Sequence, residues 1–244
     1  VTVANSVFVN NRCVGQCFGG AVLARRAITL TNVVFKDNSS AYYGGGLATS
    51  GGYAPATMRN VRFYGNSATY GGGAALNSSN ALNSLTNGIF AGNSAAGIGG
   101  GLLAQSTRLV ITNAAFVGNN TGVATASSAT IAMNNVSIAN NTGGALRVNS
   151  PTGSITARHS NFWSNGATPY VGTSDPTGSN GNISEAPQFV DIAPADVSTW
   201  DLHLSATSPL VNTGDPALLD PDGSRSDIGA YGGTCAVGFC AFPP

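Results

Sequence analysis

The chain has 244 residues, 42% hydrophobic and 8% charged, with zero formal net charge and 33 glycines. That length suits one β domain with a closing segment. No apolar run reaches the 18 residues of a membrane-crossing helix, and sparse basic residues without a known binding motif argue against nucleic acid.

The chain starts inside a repeat, without Met or a signal-like segment, so a mature or trimmed product is expected. Asn, two residues, Phe, two residues, Asn is read at Asn5-Phe8-Asn11, Asn32-Phe35-Asn38, Asn60-Phe63-Asn66, Asn87-Phe90-Asn93 and Asn113-Phe116-Asn119. Ile138 replaces Phe in Asn135-Ile138-Asn141, and His159 replaces the first Asn in His159-Phe162-Asn165. Copies recur every 22–28 residues, which signals a stacked repeat. Between Gly44 and Tyr70, short alternating stretches are split by turn residues at 51–55 and 65–66. No stretch keeps a helical period. Three short strands and three bends describe one rung of a single-stranded parallel β-helix, with rungs about 4.8 Å apart. About seven rungs are expected over residues 1–170. An irregular closing segment is expected over 171–244, continuous with the same solenoid.

Each column of the repeat has an expected task. Phe8, Phe35, Phe63, Phe90, Phe116 and Phe162 point inward and stack. Asn11, Asn38, Asn66, Asn93, Asn119, Asn141 and Asn165 form an amide ladder, and Asn at a bend tolerates unusual backbone angles. His159 can donate and accept at such a bend, which favours a structural over a catalytic role. Glycine clusters at 19–20, 44–46, 71–73, 99–101 and 143–144 supply tight corners. No helix follows any of them, against a phosphate loop. Phe18, Tyr43, Tyr70 and Ile98 make a further column. An exposed aromatic column would suit sugar stacking, but the inclusion of Ile98 favours packing.

The cysteines form two close pairs, Cys13/Cys17 and Cys235/Cys240. Two local disulfides in an oxidising compartment are expected, rather than zinc, because neither spacing nor a nearby His suits the metal. Charge is segregated. Residues 1–170 hold nine of the ten basic residues and one acid, Asp37, while 171–244 hold nine acids and Arg225. Head-to-tail contact between copies, or a basic flank facing acidic polysaccharide, would exploit this. The open first rung invites another subunit at the basic end, with the acidic segment at the opposite end. Within the tail, Asp220, Asp222, Ser224 and Asp227 alternate oxygen ligands around a Gly turn, with Asp215 near. A structural calcium pinning the closing segment is expected there; the rival is a solvated turn.

Gly19-Gly20-Ala21-Val22 and Gly143-Gly144-Ala145-Leu146, with the Phe-x-x-Asn copies, resemble the repeats of polymorphic outer-membrane proteins and related bacterial surface β-helices. Gly44-Gly45-Gly46-Leu47 and Gly99-Gly100-Gly101-Leu102 fit less strictly. The resemblance covers roughly residues 1–166. It implies an all-β, right-handed, pectate-lyase-like solenoid exported to the cell surface, although no membrane barrel follows. The order of 181–189, 201–204, 208–215 and 227–231 is similar to the closing segment of secreted bacterial β-helix proteins with varied anchors.

Enzymatic function is weighed against this. Glycosidic hydrolysis usually needs two carboxylates about 5–9.5 Å apart, and the repeats offer only Asp37. Arg25, Arg26, Arg59 and Arg62 could serve lyase chemistry but lack acidic calcium ligands beside them. No G-x-S-x-G accompanies His159 or His203. The expectation is a non-enzymatic surface or secreted module, structural or adhesive, with other surface proteins or copies of itself as partners. The alternative is a polysaccharide-binding or polysaccharide-cleaving β-helix.

Overall fold

The computed structural model describes residues 1–52 and 55–233. Each rung begins on a long strand that bends once. Thr2–Val9, Ile28–Lys36, Ala56–Tyr64, Leu82–Ala91, Arg108–Val117 and Thr130–Ala139 stack in parallel in that order. The seventh rung contributes Ser154–Arg158 and Asn161–Trp163. The bend falls on the first Asn of each repeat. Asn5, Asn32, Asn60, Asn87, Asn113 and Asn135 have φ between 49° and 56°, and His159 has φ 44°. Asn enters this left-handed region more readily than other residues with a side chain. The first Asn column is therefore conformational.

The second Asn column does different work. Its members from Asn38 to Asn141 are buried. Asn66 Oδ1 accepts from the Asn38 backbone N–H at 3.0 Å and from Asn38 Nδ2 at 2.9 Å. Asn66 Nδ2 donates to Phe35 O and to Asn93 Oδ1, both at 2.9 Å. The pattern runs from Asn11 to Asn165. Each amide thus satisfies a turn that would otherwise bury unpaired polar groups.

Between the two columns, Phe8, Phe35, Phe63, Phe90, Phe116, Ile138 and Phe162 are register partners. The five rings from Phe8 to Phe116 stack with centroids 4.5–5.2 Å apart. Phe162 instead meets Tyr170 edge-on at 6.0 Å. Two further parallel sheets of short strands complete the rungs, a seven-stranded one along all seven and a four-stranded one along the first four. A continuous core runs through the rungs, with Leu30, Leu47, Met58 and Leu76 fully buried beside the phenylalanines. Glycine is needed at the corners: a Cβ on Gly45 would meet the Gly72 carbonyl, and one on Gly46 would press on the Phe63 ring at 2.9 Å.

After the seventh rung one partial pass continues the stack. The His159 N–H donates to Asn180 O at 3.0 Å, the Ser160 N–H to Asn182 Oδ1 at 3.0 Å, and Asn161 bridges Ile183. The chain then runs back along the outside of the solenoid. Phe189, Ile192, Val197, Trp200, Leu202, Ala230 and Tyr231 pack on Val34, Tyr64, Ile89, Ala91, Ala115 and Val117. Back at the second rung, Lys36 Nζ meets Asp196 Oδ2 at 2.8 Å and Ser198 Oγ at 2.7 Å. This corrects one expectation. The acidic segment does not sit at the end opposite the first rung; it lies on the flank of the basic body. The cause is the apolar character of outward positions such as Ile89 and Val117, which need cover. No helix among the described residues is long and apolar enough to cross a membrane.

Candidate functional site

The first Asn column is where tail and body meet. On the early rungs its amides bond one another: Asn32 Nδ2 donates to Asn5 Oδ1 at 2.9 Å, and Asn60 Nδ2 to Asn32 Oδ1 at 2.6 Å. On later rungs they turn to the tail. Asn87 Nδ2 donates to Ala230 O at 3.0 Å, and Asn113 Nδ2 to Gly232 O at 2.7 Å. Asn135 Oδ1 accepts from the Asp215 N–H at 2.6 Å, and its Nδ2 donates to Ser226 Oγ at 3.0 Å. Backbone-shaped amides at a bend suit such docking because each offers one donor and one acceptor edge.

At the sixth and seventh rungs this column becomes a polar cluster. Asn134 Nδ2 donates to Asp215 Oδ2 at 2.8 Å, and His159 Nδ1 lies 3.9 Å from the same oxygen. His159 Nδ1 and Asn134 Oδ1 are buried without a hydrogen-bond partner. The other edge of the imidazole packs over Gly181, where a Cβ would collide with it. The Ala217 N–H, then Asn134, hold the Asp215 carboxyl below its ordinary range. Beside the cluster opens a concavity of about 620 Å³, lined by Asn134, Ile155, Arg158, Asp175 and Asn180 among others.

Of the residues expected to hold calcium, Asp220, Asp222 and Asp227 are near enough for their charges to act on one another, and each accepts a backbone N–H. Asp220 Oδ1 accepts from the Gly233 N–H, and Asp227 Oδ1 from the Asn212 N–H at 2.8 Å. Asp222 Oδ1 accepts from the Ser224 N–H at 2.9 Å and its hydroxyl at 2.6 Å. Burial pushes the Asp220 and Asp227 carboxyls up. Asp215 stands apart at the sixth and seventh rungs. Among the described residues no three His, Cys, Asp or Glu side chains form a metal-ligand group. The reason is local. Asp175, Asp191, Asp196, Asp201, Asp215 and Asp222 each accept from the backbone N–H two residues on. These are Asx turns, which aim each carboxylate at its own backbone.

Cys13 and Cys17 form a disulfide, with Cα atoms 6.0 Å apart. Cys235 and Cys240 lie outside the described residues. Phe18, Tyr43 and Tyr70 stack at 5.3 and 5.1 Å, with Tyr42 edge-on to all three. The column packs as a unit, with Tyr43 and Tyr70 against Ile98 and Leu103, while Tyr42 is 40% exposed. One cluster escaped sequence reasoning: His203 bonds Asp201 and stacks on Tyr231 at 3.7 Å. Nearby, burial pushes the Tyr64 phenol up to about 12, opposed by Arg62. The Asp-x-His spacing was its only sequence signal.

Among the described residues, one face is free of tail contacts over its first four rungs and meets the tail further along, at Asn134. Thr2, Thr29, Thr57 and Ser84 form one outward column, and Thr31, Arg59, Thr86, Thr112, Asn134 and Arg158 belong to the next. Inward neighbours such as Leu30 and Met58 are fully buried, which fixes the orientation of this alternation.

A family model described as a right handed beta helix region matches residues 19–183. No curated protein and no solved structure matches the chain. The matched residues cover more than half of the chain and coincide with the stacked rungs, so the chain belongs to the right-handed β-helix family.

Proposed function

We propose that the protein is a non-enzymatic extracellular module, structural or adhesive, displayed on a bacterial surface or secreted. The observation that carries this reading is the hydroxyl-rich face of the first four rungs, from Thr2 to Thr86, beside a face that the tail occupies. The repeats contain one carboxylate, Asp37, which is exposed. Paired-carboxylate hydrolysis would need a second within about 5–9.5 Å. The Cys13–Cys17 disulfide supports an oxidising compartment.

The second reading is acidic-polysaccharide binding or cleavage. It is favoured by exposed Arg59 on that face and exposed Arg158 further along the same column, with Arg108 at the start of its strand between them. Beads coated with the protein test both readings. Adhesion to cells or matrix should fall in a Thr57→Glu, Thr86→Glu double variant and persist in soluble polyuronate. Unchanged adhesion in the variant rejects the face. Competition by polyuronate, or release of new sugar ends, favours the second reading. Calcium at the Asp220–Asp227 turn is a separate proposal. A rise in melting temperature with the ion, reversed by a chelator, supports it, and an unchanged value rejects it.

A further inference from the structure

We propose that His159, Asp215 and Asn134 form a binding site for one borderline divalent cation, zinc being the best match, which clips the tail to the last two rungs. Three observations converge. His159 is the one non-Asn residue at a left-handed bend that Asn fills on the other six rungs. Its Nδ1 and Asn134 Oδ1 are both buried and both lack a partner. Asp215 Oδ2 lies 3.9 Å from Nδ1 and is held by the same Asn134 amide.

The imidazole nitrogen and the carboxylate lie near one another, and the amide that donates to that carboxylate keeps a buried oxygen without a partner. A buried acceptor without a donor is costly, and a cation is one way to satisfy it. Imidazole with carboxylate suits zinc, whereas calcium prefers all-oxygen sets. Zinc bonds to nitrogen and oxygen are about 2.0–2.2 Å, so tetrahedral capture closes the His159–Asp215 gap by about 0.5 Å. The neighbouring Arg158, whose charge also acts on Asp215, is exposed and therefore screened by solvent. The clip would join rungs six and seven to a residue more than fifty positions later in the chain. This proposal is independent of the adhesive reading.

The repeat itself supplies the control. His159→Asn places at this bend the residue found on the other rungs, so the fold is retained while the imidazole is removed. Calorimetric titration with zinc alone should be done in a Cys235→Ser, Cys240→Ser background, so that tail thiols cannot bind. Saturable one-to-one binding is expected there and is expected to vanish in His159→Asn and in Asp215→Asn. Nitrogen NMR should show zinc moving the ring signals of His159 and not those of His203. Absence of saturable binding would overturn the proposal, leaving the two acceptors to water. So would binding that survives His159→Asn, or a shift confined to His203.

Discussion

Truncating Phe63 to Ala removes a fully buried ring from the middle of a five-ring stack and should cost about 3–5 kcal/mol, read by urea unfolding. Asn66→Ala removes a small buried amide rather than an apolar ring. It leaves the Asn38 and Phe35 groups that it served unpaired inside the protein, at about 1–3 kcal/mol per group. Asn60 behaves differently, because it combines a φ of 56° with an amide that donates to Asn32 Oδ1. Asn60→Gly keeps the bend and loses the amide bond, at about 0.5–1.5 kcal/mol. Asn60→Val should cost about 1–3 kcal/mol, since a β-branched residue is strained there. In the sequence the two Asn columns are indistinguishable. Both are the same residue three positions from Phe, and only the backbone angles and the ladder separate the bend from the amide chain. The phenylalanine column was legible because a bulky residue at one phase of every unit has only the interior to occupy.

At the scale of elements, the tail is held by packing and by charge. Trp200 is half-buried against the body and donates to Pro194 O, and a Cβ on Gly118 would strike its ring. Trp200→Ala should therefore destabilise the tail by about 2–3 kcal/mol, less than a fully buried ring. Acid should act on the same contact. Lys36, then Ser198, hold the Asp196 carboxyl well below its usual range, and the Ala217 N–H and Asn134 do so for Asp215. A carboxyl lowered in the folded state stabilises above its unfolded value of about 3.9 and loses that contribution as pH falls through the folded value. Asp220 and Asp227 have the opposite sign: burial raises them, so protonation favours the folded state. Melting temperature should thus be flat or slightly higher from neutral to about pH 5, then drop below about pH 4. Lys36→Ala should reduce that drop; a monotonic loss starting near neutrality would contradict the assignment. The strap was partly legible. With Phe90 inward, Ile89 and Ala91 must face out, and apolar outward residues imply a cover. At the Asp220–Asp227 turn the sequence leaves two readings open, because Asp222 followed by a donor two residues on is the signature of an Asx turn as much as of an oxygen cage.

Over the whole molecule, the tail with its nine acids lies along the flank of the body with its nine basic residues, and Lys36 pairs with Asp196 across that contact. Sequence showed the charges but not the reversal after Ile183, because nothing in residues 171–185 marks which way the chain leaves the stack. The sequence contains a single lysine, Lys36, and its amine lies 2.8 Å from Asp196 Oδ2, 160 residues away. A water-soluble carbodiimide converts such a contact into an amide with loss of one water. Peptide mass spectrometry after dilute carbodiimide treatment is therefore the most direct test of the strapped solenoid. An intramolecular Lys36–Asp196 link should dominate, and it should disappear in Asp196→Asn. Lys36 joined mainly to carboxylates of another copy, or to none between 185 and 233, would contradict the fold-back of the tail.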